Sequence, residues 1–572
     1  MAVLGGAGIA GAQSFTEYPI PTTGSSPAEI TTGPDGALWF TEQSGNNIGR
    51  ISTSGTITEY PVTTANAGPA GIVTGPDGNL WFTENTANKI GKITTAGVIT
   101  EYTIPTANSK PIAITVGSHG GVWFVEQAGN NVGKISPTDG TFTEYPIPTA
   151  NSQPQGIRPG SDGALWFTEV GSNKIGRITG AGAITEFTNP NSAAALRFIT
   201  PAPDGKLLFT EAQTDQIGAI DTTGSFKGDA NPPSSAPGVG YIGLGPDGAV
   251  WFPEQQTNKI ARVSSNGFGG GNVAFQEYSI PTASSVPQTL TAGPDGNLWF
   301  TEQSGNKIGK FILPPSTTPM VAAVLPASRS IVSGNTATAF ATMINGGSTA
   351  LTNCGIVPLS NTPETFSFQT TNSATNAVTG TVNTQVALAG GQSQSFVITM
   401  TANTTFVPNT VFLSFYCKNV DPAVPVTGLN TLLLSSSTTA TPDVIALGAT
   451  PSGDGILNIT GTSGTGAFAV ATANVGAAGT ITASVDTGAA TGVPLTLTIC
   501  QSNPTTAVCT NPSTPAATAS VTINANDTPT FSVFATASGA VTFAPATTRI
   551  FVRFKDSGGA TRGSTSVAVR TQ

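Results

Sequence analysis

One segment recurs seven times along the first half of the chain: a Gly-Pro-Asp-Gly-like turn, then Leu-Trp-Phe-Thr-Glu, then Asn-Lys-Ile-Gly-Arg, then Ile-Thr-Glu-Tyr. Its tryptophans stand at Trp39, Trp81, Trp123, Trp166, Trp251 and Trp299, with Leu208 in the fifth place, so the steps are 42, 42, 43, 42, 43 and 48 residues. A period in the low forties marks a β-propeller, because a four-stranded blade cannot bury both its faces alone and must stack on its neighbours. Seven repeats predict a closed seven-bladed ring over residues 15–313.

The turn residues bound four strands in the first repeat: an inner strand at 28–32, then 37–42, 47–53 and an outer strand at 57–62. The last repeat stops after its third strand, and Pro314-Pro315 follows. The chain begins, however, with an outer-type segment, Phe15-Thr16-Glu17-Tyr18-Pro19-Ile20, nearly identical to Phe142-Thr143-Glu144-Tyr145-Pro146-Ile147. That segment is expected to complete blade seven and remove both free sheet edges.

From Pro314 onward the repeat ends and short alternating runs of Ser, Thr, Ala and Val take over, such as Ser395-Phe396-Val397-Ile398-Thr399-Met400. These read as antiparallel strands with frequent turns. Two Ig-like β-sandwiches are expected, at 316–437 and 441–572, with Ser435-Ser436-Ser437-Thr438-Thr439 as linker; one large β-domain is the alternative. The fold class is therefore all-β throughout. All four cysteines lie in this tail, and the local pairing of the three possible joins Cys354 to Cys417 and Cys500 to Cys509, with free buried thiols as the alternative.

Residues 15–313 hold 24 Asp and Glu against 15 Lys and Arg, and the tail holds 7 of each, so the propeller carries the whole net charge of −9. An acidic ring without a basic stripe argues against nucleic acid as a partner. The apolar start Ala2–Ala10, followed by Ala10-Gly11-Ala12 before Gln13, resembles the end of a secretory signal, so residues 1–14 are expected to be a truncated signal peptide. No other run is apolar for the ~18 residues that a membrane helix needs. A secreted, periplasmic or cell-surface monomer is the expectation.

The repeats 30–42 and 88–94, Ile-Thr-Thr-Gly-Pro-Asp-Gly-Ala-Leu-Trp-Phe-Thr-Glu and Asn-Lys-Ile-Gly-Lys-Ile-Thr, resemble those of the virginiamycin B lyase (streptogramin lyase) family. The resemblance implies an enzyme that opens a cyclic depsipeptide by elimination at its ester, using Mg2+ and rim histidines set in Pro-His-x-Ile at the start of inner strands. In this chain the histidine position holds Ala28, Ala70, Ile112, Gln155, Arg197, Gly240 and Gln288. None of these can take a proton near neutral pH. His119, the single histidine, replaces the aspartate of a turn at the other end of the ring and reads as a surface residue.

Glu42, Glu84, Glu126, Glu169, Glu211, Glu254 and Glu302 form a second repeated feature, readable as a hard-cation ring or as a structural contact repeated in every blade. Symmetry favours the structural reading, since a site for one substrate should break it. Blade five does break it, with Leu208 for Trp and Asp215 for Asn. Arg197 and Tyr241 are therefore candidate binding residues on a solvated rim, with Gln155 and Gln288; drift in a tolerant repeat is the alternative. The leading expectation is an exported recognition protein that binds a peptide or glycan without catalysis and needs no cofactor. A carbon-oxygen lyase requiring Mg2+ and a structural cell-surface component are the alternatives.

Overall fold

The computed structural model describes residues 14–117, 120–192, 194–314, 318–359, 365–488, 490 and 492–572. His119 and residues 1–13 of the expected signal peptide lie outside them. Apart from one 3-10 turn at Ser265–Gly267, every regular element described is a strand.

Seven four-stranded antiparallel sheets form the blades. In blade one the strands are Pro27–Thr32, Leu38–Glu42, Asn47–Ile51 and Ile57–Pro61, in that order from axis to periphery. Alternation along the second strand explains its sequence, because neighbouring side chains leave opposite faces of the sheet. Trp39 packs with Ile72, Leu80 and Phe82 of blade two, while Phe40 packs with Trp299 of blade seven. A Cβ on Gly49 would lie 2.1 Å from the Phe40 ring, which is why glycine stands in the third strand opposite the phenylalanine.

The turn aspartate has a matching role. Asp35 accepts from Trp39 Nε1 at 3.0 Å with one oxygen and from Arg50 Nε at 2.7 Å with the other. Blades two, four, six and seven repeat the Trp–Asp bond at Asp77, Asp162, Asp247 and Asp295. In blade five, where Leu208 replaces tryptophan, Asp204 instead pairs with Lys206. Asp215 keeps the left-handed backbone of its asparagine counterparts and accepts from the Gly238 and Val239 amides. Both departures of blade five are thus absorbed locally.

Ring closure follows the sequence expectation. Ser14–Pro19 pairs antiparallel with the third strand of blade seven, from Ser14 opposite Ile312 to Pro19 opposite Lys307. Tyr18 stacks on Trp299 at 5.6 Å, and Glu17 accepts from Lys307 at 2.8 Å.

Beyond the propeller stand two pairs of sheets, each pair enclosing its own apolar core. The two pairs share a strand plan that periodicity alone did not reveal. In each, the first strand pairs with the third, and the second pairs in parallel with the last: Ser328–Val332 with Thr431–Ser437, and Ile456–Ile459 with Thr561–Thr571. Ser435, Ser436 and Ser437, expected in a linker, are the end of a strand because their backbones complete that parallel ladder. The connection is 438–443, and it is pinned by Asp443, which takes Arg329 at 3.0 Å and the Ser330 amide at 2.9 Å. Disulfides join Cys354 to Cys417 and Cys500 to Cys509.

Candidate functional site

The propeller has two unlike ends. Pro27 pairs with Glu42, so inner-strand starts and second-strand ends share one end, and the aspartate turns lie at the other. The tail covers the turn end. Arg262 of blade six reaches Asp421 at 3.1 Å, Asn266 donates to the Val420 carbonyl at 2.9 Å, and the Gly205 Cβ position lies 3.4 Å from Val357. The rim end meets none of these tail contacts.

Under the tail lies a cavity of about 680 Å³, walled by inner-strand residues such as Thr115, Val73 and Leu290 and roofed by Phe406, Val407 and Pro408. Arg158 and Tyr241 also border it. Arg158 Nη2 donates to Glu29 Oε1 and to the Tyr241 hydroxyl, both at 2.6 Å, while Nη1 donates to the Ile157 carbonyl at 2.9 Å. Residues of blades one, four and six thereby meet across the axis. Burial pushes the Glu29 carboxyl up, with Arg158 pulling it back. The cluster is a fully partnered stopper and offers no spare base.

A bulge builds this geometry. Every inner strand slips register by one residue near its start, as between Pro27 and Ile30, and in blade six between Val239, opposite Glu254, and Gly243, opposite Trp251. Such a slip re-aims the intervening side chains. Tyr241 is consequently 8% exposed, with its ring 5.4 Å from Phe198, and does not stand on a solvated rim. The expectation for it fails because the residue after the histidine position turns inward, toward Arg158. Glu29 occupies the equivalent place in blade one and Arg158 the place of Thr31, Val73 and Thr200 in other blades. Both break the symmetry of the repeat in the sequence, which is the signal that marks them.

The other candidates do sit at the rim end. Arg197 is exposed and Gln155 half-buried, and their strands touch, with the Gly156 Cβ position 2.8 Å from the Arg197 carbonyl oxygen. Gln288 stands apart on blade seven, accepting from Gln255 at 3.1 Å and donating to Gln303 at 3.0 Å. In blade six the histidine position is Gly240, and the amide of Gln255 fills the space, 2.7 Å from where a Cβ would stand.

The seven glutamates are 0% exposed. Glu42, Glu169 and Glu254 bond within their own blades, to Asn47 at 3.2 Å, to Ser172 at 2.6 Å and to Thr257 at 2.6 Å. Glu211 accepts from Asn189 and Asn191 in the segment after blade four, and both oxygens of Glu84 and Glu302 lack a hydrogen-bond partner among the described residues. Burial pushes Glu42 and Glu84 up to about 8, and Glu126, Glu169 and Glu302 up to about 7. Among the described residues no three His, Cys, Asp or Glu side chains converge. A hard divalent cation needs several oxygens at one point. The carboxylates present, turned into separate blades, do not fit the Mg2+ that the resemblance implies.

The virginiamycin B lyase family matches residues 8–139 and 136–317. A virginiamycin B lyase from Bacillus licheniformis is 49% identical over 43 residues, which is 8% of this chain and 15% of that protein, so the chain spans under a sixth of the curated relative it matches. Among solved structures, virginiamycin B lyase from Staphylococcus aureus is 38% identical, with a TM-score of 0.50 over 53% of this chain and 100% of that one. A catalytically inactive histidine-to-alanine variant of the Staphylococcus aureus enzyme, with quinupristin, matches at the same identity, coverage and TM-score.

Proposed function

The chain belongs to the virginiamycin B lyase family, and from that membership we propose that it is an exported recognition protein that binds a peptide or glycan at the open rim without turning it over. One observation carries the reading: Ala28, Ala70, Ile112, Gln155, Arg197, Gly240 and Gln288 occupy the positions where the resemblance places rim histidines. In the Staphylococcus aureus relative a single histidine-to-alanine change gives a catalytically inactive protein. General acid-base chemistry contributes roughly 10²–10⁴-fold to a rate, and nothing among these side chains replaces it. Two disulfides accord with an extracytoplasmic setting.

Incubation with quinupristin and Mg2+ tests the reading. The expected outcome is an intact ring by mass spectrometry at enzyme-level protein concentrations. A linear product carrying a new double bond would return the chain to the lyases.

A further inference from the structure

Resting on the recognition reading, we propose that the open rim binds a carboxylate-bearing polysaccharide across blades three to five, with Lys110 and Arg197 as its cationic contacts and Gln155 between them. Charge placement is the first support. Most propeller cations are consumed by ion pairs, among them Arg50, Lys89, Lys174, Lys259 and Lys307. Lys110 and Arg197 are both exposed and form no ion pair among the described residues. Both belong to the rim end: Lys110 precedes Pro111, which opens the inner strand of blade three, and its carbonyl receives the Gln127 amide at 3.1 Å.

The acidic excess of the propeller does not cancel them there. The carboxyls beneath this arc, Glu126, Glu169 and Glu211, are wholly buried. Burial also holds Glu126 and Glu169 up near 7, which thins their negative charge at neutral pH. The inner strands of the arc are locked together, since Arg158 on blade four donates to the Ile114 carbonyl of blade three at 3.4 Å and Thr168 to the Arg197 carbonyl of blade five at 2.5 Å. Arg197 therefore stands on a fixed strand, and Lys110 at the residue that leads into one.

What the rim lacks selects the ligand class. The exposed large apolar side chains of the described propeller are Val98 and Ile312. Val98 lies in a third-to-outer turn and Ile312 ends a third strand, so both stand at the turn end. A peptide would look for a fully exposed apolar anchor, and within this arc the rim offers half-buried side chains such as Ile112 instead. A polyhydroxylated polyanion needs only what is present: a guanidinium that takes a carboxylate through two parallel bonds, an ammonium as a point charge, and amides that donate and accept. Repeated carboxylates let one chain reach both cations at once, so the second contact forms at high effective concentration.

Calorimetry of the full chain with a short oligogalacturonate, and with a neutral cello-oligosaccharide of equal length, tests this. Saturable binding of the oligogalacturonate alone is expected, weakened by salt, and weakened about tenfold by each of Lys110→Ala and Arg197→Ala. Because both side chains are exposed, the melting temperature should not move. No binding of the oligogalacturonate, equal binding of the neutral sugar, or affinity unchanged in both variants would overturn the assignment while leaving a peptide or neutral glycan open to the recognition reading. An unsaturated product would sink that reading itself.

Discussion

Arg158 shows what a single residue settles and what a sequence conceals. It stands in a strand otherwise read as repeat, yet it ties three blades together across the axis through Glu29 and Tyr241. Truncating one partner of a buried ion pair costs about 3–5 kcal/mol, because the other charge is left without compensation. Arg158→Ala should therefore lower propeller stability by about that amount in urea unfolding, and Arg158→Met with Glu29→Met should recover most of it. Tyr241→Ala should also destabilise, unlike a rim substitution. Glu84 gives a titration test. Neither of its oxygens has a partner, and burial followed by the nearby Glu101 raises it from 4.5 to about 8. The folded state then keeps a proton that the unfolded chain releases near 4.5, so stability falls as pH rises from about 4.5 to 8. Glu84→Gln should be neutral below about pH 4 and raise the melting temperature by about 5–10 °C at pH 8. The histidine positions could be read from sequence because they are defined by motif. The inward turn of Tyr241 could not, because it depends on a bulge, which shifts a face without changing the letters.

At the scale of elements, strand after strand was legible because three cues coincide: the turn glycine, the Trp-Phe pair and the glycine under the phenylalanine. The closing strand was legible for the same reason, as a copy of an outer strand lacking its blade. Deleting residues 14–22 should free the edge of 307–312 and remove Tyr18 from Trp299, so the variant should aggregate or melt without cooperativity, as light scattering and calorimetry would show. Melting identical to the full chain would contradict the closure. The duplicated plan of the tail escaped notice because low-complexity Ser and Thr runs carry alternation but no period. What the two halves share is pairing order and not the place of the bridge: Cys354 to Cys417 ties Leu351–Pro358 to the end of its neighbour Phe406–Tyr416, and Cys500 to Cys509 ties Leu495–Ser502 to its neighbour Cys509–Ala516.

For the whole molecule the tail decides which end of the ring faces outward. Three separate cores imply more than one unfolding transition, so a single free energy does not describe the chain. By chain entropy the bridge across 63 residues contributes up to about 4 kcal/mol and that across 9 about 2.7 kcal/mol. Reduction should therefore lower the tail transitions in calorimetry while leaving the propeller transition in place, and a propeller that melts with the reduced tail would show the two to be one cooperative unit. The closing pair also has a mechanical meaning. Ser14 lies opposite Ile312, so the strand that enters the ring and the strand that leaves it toward the tail emerge side by side. A load applied through the amino terminus and the tail would peel that ladder one bond at a time instead of shearing all its bonds together. A molecule so clasped yields at low force when held by both ends, and bears tension only when tethered by one.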